Sequence, residues 1–162
     1  MGEPCGAPAP VRGGVHLIQS LSYECLRHLL MHGRVPPEEI RQEVDLFIRN
    51  LNSEAEAGSI VVVEGKRDRL ALRSLGFSGK VIMLCHSGSI IDLVDQVNSY
   101  NKTILLLDSD REGKSLTAKA AHILQGKAIV DLSYRRNLRL IGKGMIRHVE
   151  ELSKFSRAWI GQ

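Results

Sequence analysis

The chain has 162 residues, of which 43% are hydrophobic and 25% charged, and it carries a net charge of +4. At ~150 residues per domain this is one compact unit, long enough to bury a core without a metal or disulfide staple, and the composition excludes a disordered chain. Aromatic side chains make up only 4%, which argues against a sheet surface built to stack bases.

The charge is unevenly spread. Residues 1–58 hold 5 basic and 8 acidic side chains, residues 59–131 hold 10 and 8, and residues 132–162 hold 7 and 2. The last segment is therefore the basic part of the molecule, a pointer to polyanionic partners. Three cysteines (Cys5, Cys25 and Cys85) form an odd set without C-x-x-C spacing, as expected of reduced thiols in the cytoplasm. No apolar run approaches the ~20 residues of a membrane-spanning helix, so no membrane partner is expected. Residues 1–16 lack the apolar core of a signal peptide and read as a flexible leader.

In chain order, Ile18, Leu21, Cys25 and Leu29 recur at helical spacing, and Pro36-Pro37-Glu38-Glu39 opens a second helix whose stripe is Ile40, Val44, Phe47 and Leu51. Together they predict a helical hairpin over 17–58, packed on the core. The rhythm then changes. Ile60-Val61-Val62-Val63 is a short β-branched run of the kind buried in a parallel sheet. A helix with Leu70, Leu72 and Leu75 follows, closed by Gly76. Next come a strand at 81–84, a helix with Ile90, Val94 and Val97, a strand at 103–107, a helix at 112–125 closed by Gly126, and a strand at 128–132. Strands alternating with helices predict an α/β fold with a four-stranded parallel sheet and right-handed crossovers. Residues 132–162 are expected to form a basic helical extension.

Ligands of such sheets bind where the strands end. The first strand runs into Glu64-Gly65-Lys66, the second into His86-Ser87-Gly88-Ser89, the third into Asp108-Ser109-Asp110-Arg111-Glu112-Gly113-Lys114, and the fourth ends at Asp131. Residues two apart in extended chain point the same way, so Asp108 and Asp110 can offer oxygens to one region, with Glu64 facing them from a neighbouring strand. Mg²⁺ takes a few hard carboxylate oxygens, keeps several waters and leaves room for phosphate. Gly65 and Gly113 allow tight turns and close approach of the backbone to a phosphate. Lys66, Arg111 and Lys114 are placed to offset phosphate charge. The set suits phosphoryl transfer or phosphodiester cleavage with one or two metal ions.

VVVEGKRD followed by ILLLDSDREGKSLTAKAA resembles the Toprim domain of type IA topoisomerases, bacterial primases and related nucleases. The resemblance covers about residues 59–131. Glu64, Asp108, Asp110 and Glu112 match its acidic positions, and Gly88 matches the glycine after its second strand. It implies a Rossmann-like fold, Mg²⁺ held by the aspartates with Glu112 as a further carboxylate, and Glu64 as metal ligand or general acid/base. The tail SYRRNLRLIGKGMIRHVEEL is similar to small stand-alone archaeal Toprim proteins and to the Toprim ribonuclease that matures the smallest ribosomal RNA. The function expected is a metal-dependent nuclease acting on RNA or DNA, with Arg135 and Arg136 beside the site as phosphate ligands. Two other classes compete: a non-catalytic nucleic-acid-binding or adaptor module, and a D-x-D phosphatase.

Other patterns are weaker. Gly113-Lys114-Ser115 fails as a phosphate-binding loop because Asp108 stands where the first glycine belongs. Cys25, His28 and His32 share a helical stripe but lack a fourth zinc ligand.

Overall fold

The computed structural model describes residues 38–85, 92–144 and 146–156. Residues 1–16, expected as a leader, the stretch expected as a first helix with Cys25, His28 and His32, and His86 and Gly88 lie outside the described residues.

Helix α1, Glu38–Glu56, starts with two acids at the positive end of its dipole and buries Ile40, Val44, Phe47, Ile48 and Leu51. Strand β1, Ser59–Val63, is buried at all five positions. That is the pattern of a strand covered on both faces and paired on both edges. Its neighbours are β2, Val81–Met83, and β3, Lys102–Leu105; a short β4, Val130–Asp131, adds beyond β3. The order is β2-β1-β3-β4 and every pair is parallel, as the alternating strands and helices predict.

Alternation sorts the strand side chains between two faces. Ile60, Val62, Leu105 and Leu107 join Leu93 and Val97 of α3 (Leu93–Val97) and Ala120 and Leu124 of α4 (Arg111–Leu124) in one buried cluster. The intervening Val61, Val63, Ile104 and Leu106 are fully buried too. Helix α1 packs on β1, and α5, Ser133–Leu140, packs on β3. Helix α2, Lys66–Ser74, packs against a C-terminal 3-10 helix, Val149–Phe155, which buries Val149, Leu152 and Phe155. Each fully buried aliphatic side chain is worth about 1.5–3 kcal/mol, which ties this C-terminal segment firmly to the core.

Several expectations shift by a residue or more. Leu70 is 54% exposed, whereas Leu72 carries the buried side of α2. The run at 128–132 forms only two residues of strand, and Ile129 is 67% exposed because β4 is an edge strand with one neighbour. Gly76 and Gly126 do follow their helices with φ of +92° and +73°, where a side chain would be strained. No helix among the described residues is long and apolar enough to cross a membrane.

For the site, the ends of β1 and β3 matter most. β1 delivers Glu64 directly. Beyond β3 the Leu106 N–H donates to Val62 O at 2.8 Å, and Leu106 and Leu107 stay fully buried, so the chain reaches Asp108 in a fixed position.

Candidate metal centre

Asp108 and Asp110 occupy the loop between β3 and α4. Asp110 caps α4: its Oδ1 accepts from the Gly113 N–H at 2.7 Å. Thr117 Oγ1 donates to Gly113 O at 2.6 Å one turn later. A side chain at Gly113 would overlap the backbone carbonyl of Asp108, so glycine is what lets the start of α4 pack against the loop. At Gly65 the corresponding space is open and φ is −149°, so no such constraint acts there.

Asp108 is held from the C-terminal segment. Its Oδ2 lies 2.8 Å from His148 Nδ1, and its Oδ1 accepts from the Val149 N–H at 3.1 Å. The Ser109 N–H donates to Arg147 O at 3.2 Å. Glu151 Oε2 in turn accepts from the N–H groups of Arg147 and His148, at 2.8 and 3.1 Å, which fixes the segment that grips Asp108. From α5, Arg135 Nε donates to Leu107 O at 3.0 Å and Arg135 Nη2 to Asp108 O at 2.8 Å. Arg135 therefore braces the loop backbone. Arg136 is exposed and acts on Asp131, which accepts from the Ser133 N–H and lies 3.8 Å from Lys102 Nζ at the far edge of the sheet.

Asp108, Asp110 and His148 each present one ligand atom, all within 4.8 Å of one another. Glu64 and Glu112 stand outside this compact set. Glu64 is nevertheless coupled to it: burial first, then the charges of Asp108, Asp110, Asp68 and Glu112, push its carboxyl above the ordinary range. Its Oε2 is shut off from solvent and has no hydrogen-bond partner. Asp68 is likewise raised by burial, although its Oδ2 accepts from the Gly65 N–H at 2.9 Å. Converging carboxylates around an orphaned buried oxygen are what a divalent cation would relieve, so these residues fit a metal.

Lys66 and Arg111 are exposed at the first positions of α2 and α4, and Glu112 is exposed beside Arg111. Lys114 lines a cavity that also includes Asp110 and His148. His148 carries no signal in the sequence. It lies 40 positions beyond Asp108, and no local pattern in Arg147-His148-Val149 marks it.

Residues 58–134 match the family model described as the Toprim domain. Among curated proteins, the chain is 35% identical over 98 residues to a UPF0292 protein of Thermococcus sibiricus, covering 60% of this chain and 77% of that one. It is 34% identical over 110 residues to a UPF0292 protein of Archaeoglobus fulgidus, covering 67% and 85%, and 31% identical over 113 residues to one of Methanosarcina barkeri, covering 68% and 78%. A solved structure of a protein from Aquifex aeolicus matches with a TM-score of 0.56 and 31% identity, over 65% of this chain and 94% of that one.

Proposed function

The chain belongs to the family of UPF0292 proteins with a Toprim domain at its core, and from that premise we propose that it is a Mg²⁺-dependent nuclease of RNA or DNA. A Toprim domain is associated with metal-dependent work on nucleic acids, and the described residues include an acidic group able to hold a metal. The observation that carries the reading is the Asp108–Asp110–His148 cluster beside the orphaned Glu64 Oε2.

In this reading Asp108 and Asp110 hold one or two Mg²⁺ ions, with Glu64 and Glu112 as further carboxylates. Bound there, the ion supplies charge neutralisation to the phosphate oxygens. Lys66, Arg111 and Lys114 bind the phosphates on either side, while Arg135 positions the Asp108 loop and Arg136, turned to Asp131, stays apart from them. Glu64, at the end of β1, takes a proton from the attacking water as the new P–O bond forms. The ester P–O bond breaks, and the same proton passes to the departing oxygen, leaving a phosphate monoester and an alcohol. The free Cys85 thiol is in keeping with a cytoplasmic setting.

A second reading, a nucleic-acid-binding module without turnover, is favoured by the hydrogen bonds already made by both Asp108 oxygens. Cleavage assays on end-labelled single-stranded RNA and DNA, with Mg²⁺ and with chelator, separate the two. Mg²⁺-dependent products that vanish in Asp110→Ala support the nuclease. Binding without products, unchanged in that variant, supports the module.

A further inference from the structure

Beside the acidic cluster lies a cavity of about 370 Å³ whose lining includes Ser109, Asp110, Lys114, Arg139, Arg147 and His148. Three cations reach it from separate parts of the chain: α4, α5 and the segment before the last 3-10 helix. None of Lys114, Arg139 and Arg147 enters an ion pair among the described residues. Ser109 lines the same space, and its Oγ is shut off from solvent with no hydrogen-bond partner. The charges are also crowded: Arg135 is held below its ordinary value by burial and then by Arg139. A cavity with three cations free of ion pairs is suited to an anion.

Charge and size narrow the anion. Three cations against Asp110 leave two positive charges. An internal phosphodiester brings one negative charge and must enter and leave the cavity as chain. A phosphomonoester brings ~1.5–2 negative charges near neutral pH and can end there. The volume, about 370 Å³, holds a group of roughly one nucleotide rather than a stretch of strand. The wall is preset, because Ser109 N–H holds Arg147 O and Glu151 fixes the backbone of Arg147 and His148.

We propose that this cavity is a phosphomonoester subsite that seats the terminal phosphate of a nucleic-acid strand beside the metal centre. The choice of a strand end as the source rests on the nuclease reading; the subsite itself does not. Because Asp110 and His148 belong to both places, a strand anchored by its terminal phosphate presents a bond close to that end. The enzyme is then directed to phosphorylated ends rather than to the middle of a strand.

The test is binding of the full chain, in chelator, to a labelled single-stranded decamer carrying a 5′-phosphate, a 3′-phosphate or neither. Inorganic phosphate and a mononucleotide serve as competitors. A terminal phosphate at one end should tighten binding about tenfold, as expected for a few charge-assisted hydrogen bonds. Arg139→Gln and Arg147→Gln should each abolish that difference, and Arg139→Lys should restore part of it. Both arginines are exposed, and a circular dichroism melt of each variant separates lost binding from lost folding. Equal affinity for all three decamers overturns the subsite and leaves the nuclease reading standing. Arg139-dependent binding of phosphate or mononucleotide, with no affinity for any decamer, upholds the subsite and overturns the strand as its source.

Discussion

His148 Nδ1 sits 2.8 Å from Asp108 Oδ2, so the carboxylate at the end of the third strand is gripped by a residue from the C-terminal segment. The pair works in two directions. The hydrogen bond to Asp108, outweighing burial, raises the His148 pKa above 6.5. In metal-free protein its contribution to stability is therefore fully present below 6.5 and is lost as pH rises through the folded value. Thermal melts in chelator should show that decline on the alkaline side, and His148→Gln should remove this component of it. An identical pH profile in the variant would contradict the pairing.

Glu64 carries the cost of burial and then of charge crowding. Its raised pKa has the same sign, since the folded state binds the proton more tightly, so metal-free protein loses stability as pH climbs above 4.5 through the folded value. Replacing it by the isosteric Glu64→Gln should raise the melting temperature in chelator at neutral pH. The same variant should show a smaller stabilisation by added Mg²⁺, because a ligand that binds only the folded state stabilises it by RT ln(1 + [L]/Kd). A lower melting temperature in chelator would count against crowding.

Gly113→Ala tests the packing of α4 on the loop. The new methyl meets the Asp108 carbonyl, a backbone atom that cannot swing aside. Overpacking of this kind costs about 1–3 kcal/mol. Urea denaturation should report that loss, together with weaker Mg²⁺ binding as Asp108 shifts. Unchanged stability would mean that the loop yields more easily than its burial suggests.

Arg135→Ala leaves the carbonyls of Leu107 and Asp108 without their donor, at a cost of about 1–3 kcal/mol if water cannot replace it. Calorimetric Mg²⁺ titration should also weaken, although Arg135 touches no carboxylate oxygen in the cluster. Arg135→Lys should recover only part, since an ammonium cannot reproduce the two-pronged contact. If Arg135→Ala instead weakened only nucleic-acid binding, the residue would be a phosphate ligand and not a brace.

Much of the fold and the acidic centre is legible in sequence because two apolar runs end in acid, glycine and lysine. A run such as Val61-Val62-Val63 is stable only inside a sheet covered on both faces, and that requirement dictates the architecture. The D-x-D after the third run then falls at the strand ends without further information. The sequence pattern is silent where tertiary contacts decide. Leu70 keeps helical spacing yet faces solvent, and the apolar residues at 128–132 form only an edge strand. His148 reaches Asp108 only because Val149, Leu152 and Phe155 anchor the last 3-10 helix, a contact between segments far apart in the chain. Arg135 reads as a phosphate ligand by charge alone, and only its hydrogen bonds to two carbonyls reveal the brace.

A divalent-cation centre at Asp108 and Asp110 underlies the proposed nuclease. It is tested most directly by calorimetric titration of Mg²⁺ into the wild-type chain, Asp108→Ala and Asp110→Ala, each checked for folding by circular dichroism. Saturable binding is expected in the wild type and is lost in both folded variants. Wild-type affinity retained in either variant, or no binding in any of the three, would contradict it.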